Sequence, residues 1–146
     1  MNKITEDLIR EFLEQVDRTF PVPLSAKQDL SRFAVKLKEK ADLCTVTEED
    51  RILSMVAGYT KNVVNNQAYI SVVASVPEAQ GKGYASQLVE KFIQLSRENH
   101  LEAVHLYTAA GNEKAIRMYK RLGFTELHLE QEERPEDVHL IFYIRN

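Results

Sequence analysis

The pattern of apolar residues predicts two amphipathic helices within residues 1–41. The apolar residues of the first helix are Ile4, Leu8, Phe12 and Val16. The apolar residues of the second helix are Leu30, Phe33, Ala34 and Leu37. Both sets follow the helical period, which places their side chains on one face. Ser25 and Gln28 form the Ser-x-x-Gln pattern of a capping box, so the second helix is expected to begin there.

The pattern then changes to that of β-strands. Runs rich in β-branched and aromatic residues occupy 43–47, 52–60, 68–76 and 103–108, and two more lie near 124–130 and 138–145. One helix is predicted from Ala85 to about Asn99, and another begins with Asn112 as its N-cap and ends before Gly123. A strand–helix–strand unit in an otherwise antiparallel set implies a mixed sheet with one parallel pair. The fold class is therefore α+β, with about four helices.

Composition narrows the class of protein. The chain has 146 residues, of which 44% are apolar and 28% are charged, as expected for one globular domain. A net charge of −3 without a Lys/Arg cluster argues against nucleic-acid binding. No signal peptide or apolar run long enough to span a bilayer is visible. The single cysteine, Cys44, is expected to be buried in a strand. These features predict a soluble, cytoplasmic protein.

The segment with the most chemical content is the glycine loop, defined here as residues 76–86, between the strand at 68–76 and the next helix. Gly81 and Gly83 permit positive φ and a close approach of a ligand to the backbone. Free amides at the start of the helix, together with its dipole, form a site for an anion such as a diphosphate.

The glycine loop has three other interpretations. A nucleotide-binding P-loop needs Ser or Thr after Lys82, where this sequence has Gly83. A dinucleotide-binding fingerprint needs an acidic residue at the end of the following strand, and that strand ends in Tyr107 and Thr108. The simplest alternative is a glycine-containing turn that binds nothing, and the loop alone does not exclude it.

Two stretches of the sequence together resemble the signatures of GNAT-superfamily N-acetyltransferases. The first is Gln80-x-x-Gly83-x-Ala85, and the second is Asn112-x-x-Ala115-x-x-x-Tyr119-x-x-x-Gly123-Phe124. The resemblance covers residues 43–129 and implies a single acetyltransferase domain over 1–146. In this domain, 1–41 would be a helical acceptor-side region, 42–130 the cofactor-binding core and 131–146 a closing strand. The implied fold is a twisted mixed sheet, splayed open between the parallel strands at 68–76 and 103–108.

The resemblance also implies where the co-substrate acetyl-coenzyme A would bind. Its pantetheine arm would pair with the backbone of 74–76, and its pyrophosphate would rest on amides of 81–86. The implied cofactor-binding residues are Ala74, Ser75, Val76, Gln80, Gly81, Lys82, Gly83, Tyr84, Ala85, Ser86, Asn112, Ala115 and Tyr119. Tyr119 is also the implied catalytic residue, as proton donor to the departing coenzyme A. No metal is expected, since the four histidines lack the spacing of metal ligands.

The acceptor side is less sharply defined. Family members usually begin with a strand, whereas this chain begins in a helix, and the loop at 20–24 is the candidate for acceptor contacts. The strand at 68–76 contains no carboxylate or histidine. The general base is therefore expected to be an ordered water, with His105 and Glu78 as the side-chain alternatives.

The expected function is direct acetyl transfer to the primary amine of a small molecule, such as an amino sugar, an amino acid or a polyamine. Acetylation of a protein N-terminus or lysine is a close alternative. A catalytically silent domain that senses coenzyme A is a third. The expected partner is the small amine, without nucleic acid or membrane, and the sequence is compatible with a homodimer.

Overall fold

A computed structural model describes residues 3–144. The elements follow the predicted order of two helices, three strands, helix, strand, helix and two strands. In chain order they are α1 (Glu6–Val16), α2 (Leu30–Lys40), β1 (Asp42–Glu48), β2 (Arg51–Tyr59), β3 (Gln67–Ser75), α3 (Tyr84–Glu98), β4 (Ala103–Ala109), α4 (Glu113–Leu122), β5 (Thr125–Glu126) and β6 (Asp137–Tyr143). Within the described part of the chain, α1 precedes the first strand, as predicted. No helix within residues 3–144 is long and apolar enough to cross a membrane.

The start of α2 differs from the prediction. The N-cap is Asp29, whose carboxylate accepts a hydrogen bond from the amide of Arg32 at 3.0 Å. The capping box predicted at Ser25 is therefore wrong. Ser25 lies in a single 3-10 turn, where its amide and hydroxyl both donate to the carboxylate of Asp17. A short polar side chain can close a turn as well as cap a helix, and here Asp17 supplies the competing partner.

The six strands form one mixed sheet in the order β1-β2-β3-β4-β6-β5. Among the strands of the described residues, only β3 and β4 are parallel neighbours, which confirms the predicted parallel pair. Their register begins at Gln67 beside Ala103 and ends at Ile70 beside Leu106. β3 continues to Ser75 without pairing to β4, so the sheet splits between these two strands beyond Ile70.

A bulge lies beside this split. Ala57 of β2 faces Val72 of β3, whereas the next residue, Gly58, faces Ile70. Ser71 is therefore the extra residue, and such an insertion bends a strand and increases its twist. Gly58 is required at this point because a Cβ there would overlap the carbonyl oxygen of Tyr69 and lie 2.6 Å from the Phe92 ring.

Alternating side chains divide β4 and β6 between two faces of the sheet. On the back face, Val104, Leu106 and Leu140 belong to one hydrophobic cluster with side chains of α3 and α4. Their neighbours along the strands, His105 and His139, point to the opposite side of the sheet, called here the front face. α1 and α2 pack on β2 over a second cluster, which includes Met55, Ala57, Val72 and Ala74.

The predicted strand at 124–130 is much shorter than expected, because only Thr125–Glu126 pairs with β6. The amide of Leu127 still donates to the carbonyl of His139 in β6, but the amide of Leu129 donates instead to the side chain of Glu132. The closing strand, predicted at 138–145, spans Asp137–Tyr143. Of the last two predicted positions, residue 144 lies just after the observed strand, and residue 145 lies outside the described residues.

Candidate active site

The glycine loop presents a row of backbone donors at the start of α3. Gly81 and Gly83 both have φ of 81°, and Gly83 is the N-cap residue of α3. Within residues 3–144, none of the amides from 81 to 86 donates to a backbone carbonyl outside a helix or to a capping side chain. A Cβ at either glycine would meet no protein atom within 4 Å. The loop is therefore open and rich in donors, which suits an anion such as a diphosphate.

The residues before the glycines are more strongly engaged than the sequence suggested. The amide of Val76 donates to the carbonyl of Leu53 at 2.9 Å, so that donor is already used. Gln80 donates its side-chain amide to the carbonyl of Ser75 at 3.3 Å. The Ser75 hydroxyl lies 2.8 Å from the Ser54 hydroxyl. Of the three positions expected to pair with pantetheine, Val76 therefore has no free amide, and pairing at Ala74 and Ser75 stays a prediction.

The rest of the predicted cofactor-binding set surrounds the start of α3. Lys82 is exposed, whereas three neighbours in the first turn are partly buried: Tyr84, Ala85 and Ser86. Lys82 can therefore contribute charge beside the free amides. Its role remains a prediction.

Asn112 directly precedes α4. Contrary to the prediction, its side chain makes no capping hydrogen bond to the helix. Its carbonyl accepts the first helical hydrogen bond, from the amide of Ile116 at 3.0 Å. Its side-chain amide points back toward β4 and lies 3.4 Å from the Thr108 hydroxyl. Ala115 is partly buried on the next turn. Asn112 therefore links β4 to α4 across the junction where the split sheet meets the helix.

Tyr119 lies on the back face, only 4% exposed, within the cluster formed by α3, α4 and β4. Its ring packs edge-on against Phe124, with 5.5 Å between the ring centroids. Burial raises the pKa of the Tyr119 hydroxyl well above that of free tyrosine. The hydroxyl therefore stays protonated throughout the physiological range, where it can donate a hydrogen bond.

The front face carries a polar cluster that the sequence did not reveal as a unit. His105 Nδ1 lies 2.9 Å from His139 Nε2, and His139 Nδ1 lies 2.9 Å from Glu132 Oε1. These three residues are called the histidine relay below. Tyr107 donates its hydroxyl to the same Glu132 oxygen at 2.8 Å. Tyr69 packs on the other side of His105, with 5.1 Å between ring centroids.

The surroundings of the relay shift several pKa values. Burial, followed by the neighbouring His139, lowers the pKa of His105. Burial and the hydrogen bond to Glu132 raise the pKa of Tyr107 to about 12. For Glu132 itself, desolvation acts to raise the pKa, but three hydrogen bonds, from Leu129, Tyr107 and His139, outweigh it and lower the pKa. At neutral pH the relay therefore contains an ionised Glu132 and a neutral His105.

Sequence reasoning named His105 but missed Glu132 and His139. The available signal was the alternation of β4 and β6, which puts His105, Tyr107 and His139 on one face. The position of Glu132 could not be deduced, because it lies outside regular structure. The three relay residues run in a line, and no group among the described residues is arranged to hold a metal ion.

Glu78 and Cys44 are less suitable than His105 for proton transfer or nucleophilic attack. Glu78 is exposed and its carboxylate forms an ion pair with Arg51 at 3.1 Å. Hydrogen bonds from its own backbone and from Arg51 lower the pKa of Glu78, which makes it a weak base. Cys44 is partly buried, and burial raises the pKa of its thiol, so it is a poor nucleophile at neutral pH.

These features define a class of protein: an α+β domain with a split sheet, an open glycine loop rich in backbone donors at one side of the split and titratable groups beside it. Comparison with known proteins identifies that class. The profile of the Acetyltransferase (GNAT) family matches residues 2–124, and the chain belongs to this family. Acetyl-coenzyme A is the co-substrate of the family.

Individual relatives are similar over parts of the chain or over its fold. A mycothiol acetyltransferase from Arthrobacter sp. is 45% identical over 56 residues, which cover 38% of this chain and only 17% of that protein. The structure of Ard1 from Thermoplasma volcanium superposes with a TM-score of 0.79 at 16% identity, over 99% of this chain and 97% of that one. The ribosomal-protein-S18-alanine N-acetyltransferase of Escherichia coli has a TM-score of 0.73 at 19% identity, over 99% and 92% of the two chains. The expected GNAT fold is thereby confirmed.

Proposed function

We propose that this chain transfers the acetyl group of acetyl-coenzyme A directly to the primary amine of a small molecule. The observation that carries the proposal is the different chemistry on the two sides of the split between β3 and β4. The free amides of the glycine loop follow β3, and the Tyr119 hydroxyl lies on the back face. The front face carries His105 beside the last paired position, Ile70 with Leu106.

Direct transfer needs an acid and a base at different places. The amine must lose a proton, attack the thioester carbon and displace the sulfur, which then gains a proton. A donor near the sulfur and an acceptor near the amine satisfy these needs without a covalent intermediate on the enzyme. Cys44, with its raised pKa, does not suit an acetyl-enzyme step. The predicted roles of Tyr119 and the glycine loop fit this division.

A small cationic acceptor is favoured by the charge near the front face. Residues 126–137 carry six carboxylates and one arginine, Arg134. Local negative charge attracts a protonated amine and disfavours anionic acceptors. The resemblance to mycothiol acetyltransferase supports a small-molecule acceptor, although the matched segment is short. The loop at 20–24 stays the candidate for further acceptor contacts, because Pro21 and Val22 are exposed there.

The test is release of coenzyme A thiol from acetyl-coenzyme A in the presence of different amines. Amino sugars, amino acids and polyamines form one panel, and peptides with free N-termini or internal lysines form the other. Reactions without amine measure background hydrolysis, and mass spectrometry identifies the acetylated product. Turnover confined to small amines is the expected result.

Two other results would replace this proposal. Turnover of the peptide panel alone would assign the chain as a protein acetyltransferase, the activity named for the Escherichia coli structural neighbour. Tight binding of acetyl-coenzyme A without turnover of any amine would indicate a domain that senses coenzyme A. Calorimetry with acetyl-coenzyme A, run beside the thiol assay, separates the second result from a protein that binds nothing.

A further inference from the structure

We propose that Glu132 and His139 fix His105 in one tautomer, with Nε2 unprotonated, and that His105 is thereby the general base for the acceptor amine. The inference rests on the proposed acetyl transfer and names a residue for its least defined step. It replaces the expectation that an ordered water, without a side-chain base, removes the proton. Glu132 and His139 are positioning residues in this proposal, because they act through His105.

The proposal takes His139 with a single ring proton, and the direction of every hydrogen bond in the relay then follows from the carboxylate at its end. An ionised Glu132 only accepts, so His139 must carry its proton on Nδ1 to donate to Oε1. His139 Nε2 is then an acceptor. It lies 2.9 Å from His105 Nδ1, so His105 must donate from Nδ1. A neutral imidazole carries one ring proton, which leaves a lone pair on His105 Nε2.

The surroundings of His105 support this protonation state. Tyr69 faces it from β3, Tyr107 and His139 flank it on the front face, and Glu132 and Glu133 contribute negative charge from the segment before β6. Arg134 and Asp137 lie near enough to influence Tyr69. Burial opposes an imidazolium at His105, so its pKa is lowered and the base is free at neutral pH.

The location of His105 matches the need for a base. Its register partner is Tyr69, one position before the last β3–β4 pair, where the sheet starts to open. An amine that approaches this point from the front face meets His105, whereas Tyr119 belongs to the back-face cluster. Acid and base therefore lie on opposite sides of the sheet.

The proton transfers balance as follows. The ammonium gives one proton to His105 Nε2, and the neutral amine forms the C–N bond. The C–S bond then breaks and its electron pair goes to sulfur. The nitrogen then loses a second proton. Of the two protons lost by the nitrogen, one is balanced by the proton that the sulfur gains, and the other leaves His105 for solvent. As His105 becomes positive, its Nδ1 proton can shift toward His139 Nε2, and the resulting charge lies beside the Glu132 carboxylate.

The first test measures the tautomer and does not depend on activity. The ¹⁵N resonances of protonated and unprotonated imidazole nitrogens are well separated, and the His105→Gln variant assigns the His105 signals. At pH 7.5 the expected spectrum shows His105 protonated on Nδ1 only. A His105 with its proton mainly on Nε2 would overturn the proposal. Glu132→Gln should mix the tautomers because its amide can also donate, and Glu132→Asp should restore the single form.

The second test uses the pH dependence of kcat/KM with two acceptors of different pKa. The expected rate rises with pH through a limb below the ordinary histidine value of about 6.5, at the same pH for both acceptors. His105→Gln should lower kcat/KM by about 10²-fold and leave a limb that follows the acceptor's own ionisation. A wild-type limb that follows the acceptor would sink the proposal.

Matched controls separate the relay from the general charge of this region. His128→Gln and Glu130→Gln alter an exposed imidazole and an exposed carboxylate of the same segment, and both should leave the limb unchanged. Glu78→Gln should also leave it unchanged. If no amine is acetylated by the wild type, the proposed function fails, while the ¹⁵N spectrum still decides the tautomer.

Discussion

The glycine loop and the histidine relay lie near the same split in the sheet, but they are constructed in different ways. The loop is one continuous segment, and its proposed binding groups are backbone amides that every residue except proline possesses. The relay joins side chains from β4, β6 and the segment between β5 and β6. The loop therefore depends on conformation, whereas the relay depends on the identity of each side chain. Substitutions should affect cofactor binding on one side and proton transfer on the other.

The largest effect is expected at the loop. Gly83→Asp forces a non-glycine residue to φ of 81° and places a carboxylate among the amides that would hold a diphosphate. Binding of acetyl-coenzyme A should fall below detection by calorimetry in a folded variant. Gly111→Asp is the charge-matched control, since a Cβ there meets nothing within 4 Å and its φ is not in the left-handed region. Near-normal affinity for the Gly83 variant would mean that the diphosphate binds elsewhere.

Tyr119→Phe should lower kcat by about 10²-fold with little change in affinity for acetyl-coenzyme A. Because burial raises the pKa of Tyr119, full proton transfer to the thiolate is uphill, and the predicted role of Tyr119 is that of a hydrogen-bond donor to the departing sulfur. Below pH 10, kcat should therefore show no limb from ionisation of Tyr119. Tyr143→Phe, at an exposed position, is the control. An unchanged kcat for Tyr119→Phe would reduce Tyr119 to a packing role.

Gly58 lies at a crowded point of the sheet, opposite the bulge in β3 and beneath the ring of Phe92. Gly58→Ala should destabilise the fold by about 1–3 kcal/mol, since neither the Tyr69 backbone nor a buried aromatic ring can move freely. Urea unfolding measures this change, and Gly111→Ala supplies a control in open space. Equal stability of the two variants would show that the sheet relaxes easily at the split.

The same contrast explains what could be predicted from the sequence. The order of elements, the parallel pair and the glycine loop follow from periodicity and from motifs of neighbouring residues, and all are present. The cap of α2 was misplaced because Asp17, eight residues before Ser25, competes for its polar groups. Glu132 was missed because its side-chain partners, His139 and Tyr107, are 7 and 25 residues away along the chain. A cluster made by tertiary folding leaves no local pattern.

The smallest expected effect is on stability in mild acid, and it tests the relay without any ligand. The pKa of His105 is lowered in the folded state, so the unfolded chain binds a proton more readily there. Its contribution to stability is therefore complete above the unfolded value of about 6.5 and is lost as pH falls from there toward the folded pKa. Lowered carboxylate pKa values, such as that of Glu132, act in the same direction but only below about pH 4.5, so the two windows are separate.

Urea unfolding at pH 7.5 and pH 5.5 should show a loss of stability in the wild type and a smaller loss in His105→Gln, with His128→Gln behaving like the wild type. Equal losses in all three proteins would mean that His105 is not held neutral by its surroundings, and the base assigned to the front face would lose its physical basis.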